Sequence, residues 1–228
     1  MPQVMEKFAD RLHREWLPSY CNASNRQYSI EGFKSSTIGN LSSFDAMWFM
    51  RAIDDALVTE NEGYFLAPKS SAKEMLFWEG SKKESPRPIF LWIEPIITIG
   101  AIARLNKQFG WPSSQLGAQS KTWEFDLVCY CSDTGVEHIV CEVKRTSKEI
   151  EKLLHFMHYY SAREKQEIEP KNQTERNAYR KVQGIRKIWP KIFWALGPND
   201  DSHIFKIVRT EGSENFDLLP VTEDELMY

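Results

Sequence analysis

The chain has 228 residues, 42% of them hydrophobic and 27% charged, with a formal net charge of −3. An aromatic content of 13% excludes a low-complexity disordered chain, while 11 Gly, 11 Pro and 4 Cys exclude collagen-like and disulfide-scaffold classes. This length suits one globular domain, or one domain with a substantial extension.

Met1 to Leu17 mixes acids with bases and has no apolar core segment, so it does not read as a secretory leader. The one long apolar run, Ile89 to Leu105, is broken by Glu94, Pro95 and Arg104 and reads as a buried helix rather than a membrane span. The expected setting is cytoplasmic, with reduced thiols and no membrane partner. The charge is segregated. Residues 144–191 carry 13 Lys+Arg against 6 Asp+Glu, a net of +7, and residues 192–228 carry 2 against 8, a net of −6. A basic block of that size can attract phosphates even on an acidic protein, although a solvated helical face is the plainer meaning of a charge run.

In chain order, Val4, Phe8, Leu12 and Trp16 recur every four residues and predict a helix over Gln3–Trp16. Cys21–Leu41 is polar and turn-rich, and a second helix is expected from a cap at Ser42 or Ser43 through Val58. Gly63–Ala67 suits a short strand. Ser71–Glu74 has the S-x-x-E capping form and predicts a short helix. Ser81–Pro88, with two prolines, is the best boundary candidate. It divides residues 1–88, a mainly helical extension of no assigned role, from residues 89–228. The helix from Ile89 should hold Pro95 in its first turn, with Glu94 at its start, and end at Gly110 and Pro112.

From Lys121 the period becomes two. Trp123–Cys131 predicts a strand, residues 132–136 a turn, and Glu137–Arg145 its antiparallel partner. Thr146–Glu149 is a further capping form opening a helix to about Arg163, and Asn172–Trp189 is a basic helix ending before Pro190. Lys191–Leu196 and His203–Val208 read as strands. This order predicts an α/β or α+β core, a central mixed sheet flanked by helices.

Alternation places Asp126, Val128 and Tyr130 on one face of the first strand, with Phe125, Leu127, Cys129 and Cys131 on the other. A five-residue turn sets Cys131 opposite Glu137, Asp126 opposite Glu142 and Glu124 opposite Lys144. Directly opposed side chains stand about 5 Å apart at Cβ. Two carboxylates that close favour a hard divalent cation between them, and Mg²⁺ is content with one or two protein carboxylates plus water. Lys144 could orient a water or neutralise charge on a phosphoryl group, and Glu94 is a possible third acid. The plain alternative is an edge hairpin carrying a solvated Glu124–Lys144 ion pair.

Asp126, followed after fifteen residues by Glu142-x-Lys144, resembles the PD-(D/E)xK phosphodiesterase superfamily, a group of restriction enzymes, junction resolvases and repair nucleases. The resemblance covers roughly Ile89–Leu196, and Phe125 stands where the nominal pattern has proline. It implies a restriction-endonuclease-like core and a Mg²⁺-dependent nuclease, with Mn²⁺ as a substitute. Asp126, Glu142 and the Val143 carbonyl would be metal ligands, Lys144 the base-like catalytic residue, and Glu94 the acid on the first core helix. In that context Lys148, Lys152, Arg176, Arg180, Lys181, Arg186 and Lys187 become nucleic-acid-binding candidates, with DNA favoured over RNA. A homodimer would supply two sites for two strands. Two alternatives stay open: an inactive module on the same core that binds nucleic acid or protein, and an α+β protein without phosphate chemistry.

Cys129, Cys131 and Cys141 lack paired C-x-x-C knuckles and read as small core residues rather than zinc ligands. No phosphate-cradling glycine loop or dinucleotide-binding turn is present, so no nucleotide cofactor is expected.

Overall fold

Phe8, Leu12 and Trp16 are all buried, and the apolar stripe they form runs on through Leu17, Tyr20 and Cys21. The first helix is accordingly longer than its four-residue spacing predicts: α1 (Pro2–Arg11), a π-helical turn (Leu12–Trp16) and α2 (Leu17–Asn22) follow without interruption. The structure is a computed structural model describing residues 2–122, 124–163 and 169–228. α3 (Ser43–Asp54) starts where its cap predicts, with Ser42 Oγ accepting from the Asp45 N–H at 3.0 Å.

β1 (Thr59–Asn61), β2 (Tyr64–Leu66) and β3 (Glu74–Met75) make a small antiparallel sheet. The helix expected from Ser71–Glu74 does not form. Ser71 N–H bonds to the Ala118 carbonyl, and Glu74 and Met75 pair with Phe65 and Tyr64, so tertiary ladder bonds override the local cap. β4 (Phe77–Glu79) and β5 (Ile89–Leu91) form an antiparallel ribbon, and Ser81–Pro88 is the connection between its strands. α4 (Ile93–Lys107) follows with Glu94 and Pro95 in its first turn and is buried from Pro95 to Leu105. Gly110, at φ 78°, makes the left-handed turn after it.

The main sheet has six strands in the order β11-β10-β9-β8-β7-β6: β6 (Leu116–Ala118), β7 (Leu127–Tyr130), β8 (Glu137–Val143), β9 (Ile192–Leu196), β10 (Ser202–Arg209) and β11 (Phe216–Pro220). Only β8 and β9 run parallel, and the α5 (Ser147–Ser161) and α6 (Gln173–Ile188) pair forms the crossover between them. α5 starts on its predicted cap, and α6 starts on a side-chain cap at Asn172, the residue where its helix is expected to begin. Thr146 accepts from the Glu149 N–H, Asn172 accepts from the Glu175 N–H, and Trp189 closes α6 in the left-handed region. The result is an α+β fold, a mixed six-strand sheet with helices on both faces.

Each face of the sheet has its own core. Leu127, Cys129, Ile139, Cys141, Val143 and Trp194 join the α1–α4 side in one cluster, which is continuous from Phe8 to Leu226. Val128, Tyr130, Val140 and Phe193 join Ile150, Met157, Val182 and Ile185 of α5 and α6 in the other. Burial on both faces explains why β7, β8 and β9 read as nearly unbroken apolar runs. Cys129 and Cys141 are ordinary buried members of the first core. Among the described residues no helix is long and apolar enough to cross a membrane.

Two details of the hairpin depart from simple alternation. A bulge between Cys129 and Tyr130 sets Tyr130, not Cys131, opposite Glu137. The ladder also begins at Leu127, so Phe125 escapes the two-residue period and packs with Val128 and Tyr130 rather than with Leu127. The predicted start of that strand, Trp123, lies outside the described residues. Phe125 is gripped by α6 at Gly184, where a Cβ would meet the Phe125 ring at 3.1 Å and the Glu124 Cβ at 3.3 Å. Gly184→Val should therefore lift α6 from segment 124–125 and cost about 1–3 kcal/mol, measured as a lower urea midpoint at unchanged slope.

Candidate active site

The ladder ends at Leu127 opposite Cys141, the Asp126 N–H still donates to the Cys141 carbonyl at 3.0 Å, and the Asp126 carboxyl lies close enough to Glu142 to feel its charge. At this point β7 leaves β8. The N–H and C=O of Val143 point to the side β7 has vacated, because both groups of one strand residue face the same neighbour. Asp126 Oδ2 accepts the Val143 N–H at 2.8 Å, and the Val143 carbonyl accepts from Lys144 Nζ at 2.9 Å. Side chains thus substitute for ladder bonds that a continuing strand would have made.

Glu142 is buried between two ammonium groups. Lys144 Nζ lies 2.5 Å from Oε1, and Lys181 Nζ, from α6, lies 2.6 Å from Oε2. Lys181 also donates to the Glu124 carbonyl. Burial alone would raise the Glu142 carboxyl, but Lys181 and Lys144 outweigh it and hold it below the ordinary carboxylate value. Asp126 goes the other way. Burial first, then the Glu142 charge, pushes it up to about 7 against the opposing pull of Lys181, Lys144 and the Val143 N–H. Lys144 is raised: burial works against its charge, and Glu142 and Asp126 outweigh that. Two adjacent carboxyls in unequal surroundings have their protonation pushed apart, one firmly ionised and one near neutrality.

Glu94 stands in the first turn of α4, its Oε2 accepting from Trp92 Nε1 at 3.1 Å, and it shares with Lys144 a cleft of about 750 Å³. Lys152 reaches the same cleft from α5. Lys148, Arg176 and Lys187 are exposed on α5 and α6, while Arg180 pairs with Glu124 at 3.1 Å. The Glu124–Lys144 ion pair of the plain edge-hairpin alternative does not form: Glu124 lies before the ladder and pairs with Arg180 of α6, while Lys144 pairs with Glu142. Arg186 departs from its place in the basic block. It is buried and donates to the carbonyls of Tyr160, Ser161, Arg163 and Glu214, binding α6 to the loop after α5 and to the β10–β11 connection.

Two residues near the site carry no local sequence signal. Lys181 belongs to a helix 37 residues beyond Lys144, and only the packing of α6 on segment 124–125 brings it to Glu142. Glu74, on β3, is buried and raised by burial, with Gln119 opposing and the nearby Glu94 charge adding to the rise. Gln119 links it to the hairpin, its Nε2 donating to Glu74 at 2.9 Å and its N–H to the Asp126 carbonyl at 2.8 Å.

The donors that converge on Lys144 Nζ and its surroundings are two carboxylates and one backbone carbonyl, an all-oxygen set suited to a hard cation. An ammonium already held by Glu142 and the Val143 carbonyl shows that this pocket stabilises positive charge. Among the described residues no group of three or more His, Cys, Asp or Glu side chains could hold a metal, so water would have to complete a coordination shell here. Comparison with protein-family models, curated proteins and solved structures found no match for the chain.

The raised Asp126 carboxyl gives a stability prediction for the metal-free protein. Because its folded value lies above its unfolded one, its contribution is fully present below the unfolded value and lost as pH rises through about 7. In EDTA at pH 8, Asp126→Asn should melt higher than the wild type by roughly 2–4 °C, which is ~1 kcal/mol for a chain of this size. The gap should narrow toward pH 4. An equal or lower melting point at pH 8 would show that the charged carboxylate is well accommodated.

Proposed function

We propose that the protein is a metal-dependent nuclease on a restriction-endonuclease-like core, hydrolysing phosphodiester bonds of nucleic acid, with DNA as the favoured substrate. The observation that carries this reading is the meeting of Asp126, Glu142, the Val143 carbonyl and Lys144 where β7 parts from β8. Asp126, Glu142 and the Val143 carbonyl would hold Mg²⁺ or Mn²⁺, with Glu94 contributing through the shared cleft. A bound divalent ion supplies a polarised phosphoryl oxygen and a water of lowered pKa.

The chain's own groups set the rest. Glu142, kept ionised by its two lysines, offers a permanent negative charge at the sheet edge. Lys144 is kept protonated, so its role is to stabilise charge gathering on the phosphoryl oxygens or to orient a water, rather than to withdraw a proton as a free amine. Lys181 secures the opposite carboxylate oxygen and ties the site to α6. Lys148, Lys152, Arg176 and Lys187, on or beside the faces of α5 and α6, would hold the backbone by phosphate contacts that carry no sequence information.

A second reading has an observation of its own. Glu142 is already neutralised by two ammonium groups, which is how a core that has lost metal binding could remain stable, and such a module would bind nucleic acid or a protein partner without cutting. Cleavage separates the two. Plasmid and linear DNA incubated with Mg²⁺ or Mn²⁺ should be nicked or cut, and EDTA should abolish the reaction. Asp126→Asn and Lys144→Ala should each lower the rate by at least about 10²-fold. Salt-sensitive binding without cutting, unchanged in both variants, would favour the inactive module.

A further inference from the structure

The cleft holding Glu94 and Lys144 has two unlike walls. One carries Lys144, Arg145 and Lys152, together with Glu149, which pairs with Arg145 at 3.0 Å; the other is aromatic, with Trp78 and Phe90 of the β4–β5 ribbon and Trp92 just after it. Trp78 and Phe90 are directly opposed across the ribbon, so both rings lie on one face of it. Trp92 meets Trp78 edge to face, with centroids 6.0 Å apart, and is itself tied to Glu94 by the 3.1 Å hydrogen bond from Nε1. Trp78 nevertheless remains 57% exposed, which is unusual for the largest apolar side chain on a paired strand.

These observations fit one kind of occupant. A ring standing in solvent in a cleft that also holds an acid of the site and the cations Lys144, Arg145 and Lys152, of which Lys144 and Arg145 are paired with Glu142 and Glu149, matches a polymer with anionic linkages and flat, apolar faces. Within a duplex the faces of the bases are covered by their neighbours, and a protein reaches only their edges. In a single strand they are free, and aromatic side chains stack on them with little regard to sequence. Phe90 and Trp92, both only partly buried, extend the platform from Trp78 toward Glu94.

We infer that this cleft takes single-stranded nucleic acid, an unpaired segment or end whose base stacks on Trp78 while its phosphates run along Lys144, Arg145 and Lys152. The inference rests on the nuclease reading for its functional meaning, and it adds the substrate's strandedness and the side chain that selects it.

The test uses the full chain in EDTA, so that nothing is cut, and fluorescence anisotropy of three labelled probes of equal length: oligo-dT, a duplex, and an abasic strand. Oligo-dT should bind at least about 10-fold more tightly than either of the others. Trp78→Ala should weaken oligo-dT binding by roughly 5- to 150-fold, as expected for one stacked base, and leave the duplex and abasic probes unchanged. Trp78→Phe should restore most of the loss. Equal affinity for oligo-dT and duplex, or a single-strand preference that survives Trp78→Ala, would overturn the inference. Binding of none of the probes would overturn it too and assign the aromatic wall to a protein partner. Cleavage with Mg²⁺ in parallel keeps the two readings apart. Cutting that is lost in Lys144→Ala but indifferent to strandedness leaves the nuclease and removes this inference. Trp78-dependent single-strand binding without any cutting upholds the stacking surface and counts against catalysis.

Discussion

Glu142 is a carboxylate buried at the end of a central strand, and such a group is tolerated only if opposite charge reaches it. Lys144 supplies one partner from the same strand, two residues on, at almost no cost in topology. Lys181 supplies the other, and that requires α6 to lie close against segment 124–125, which in turn requires Gly184 at the contact. The position of the crossover helices, and with them the basic face, is therefore coupled to one ionised side chain. Removing Glu142 would leave two cations facing each other over a neutral gap.

The same feature sets the chemistry of the edge. β7 departs from β8 at Leu127, and the backbone groups of Val143 are completed by an Asp126 carboxylate and a lysine ammonium rather than by another strand. Hydrogen-bonding capacity at a sheet edge is usually covered or charged to prevent further pairing. Here it is charged with groups of opposite sign beside a cleft, and burial together with the Glu142 charge raises the Asp126 carboxyl. Ionisable groups perturbed by burial and by one specific charge partner cluster at functional sites.

Much of this was legible in the residues. Alternation gives the hairpin and the pairing of Leu127 with Cys141, but the turn is longer than the five residues expected, and the bulge between Cys129 and Tyr130 restores the pairing that the shorter turn implied. Caps at Ser42 and Thr146 start their helices where side-chain chemistry demands. What could not be read is long-range. Lys181 looks like any other base in a basic helix, Arg186 looks like a surface cation until its carbonyl partners are known, and Glu74 looks like the end of a capping box until β3 pairs with β2. Strand β6, of three residues, is too short to show a period, and Phe125 changes face because the ladder stops two residues beyond it.

The proposed nuclease requires Asp126, Glu142 and the Val143 carbonyl to serve as a cation site in place of the Lys144 ammonium they now surround. Titration of Mn²⁺ into the metal-free protein, followed by electron paramagnetic resonance of the free ion, tests it without requiring a substrate. A single saturable Mn²⁺ site per chain should appear, lost in Glu142→Gln and weakened in Asp126→Asn while both variants remain folded. Mn²⁺ binding unchanged by both substitutions, or no binding at millimolar Mn²⁺, would contradict it and leave Glu142, Lys144 and Lys181 as a structural ion-pair network.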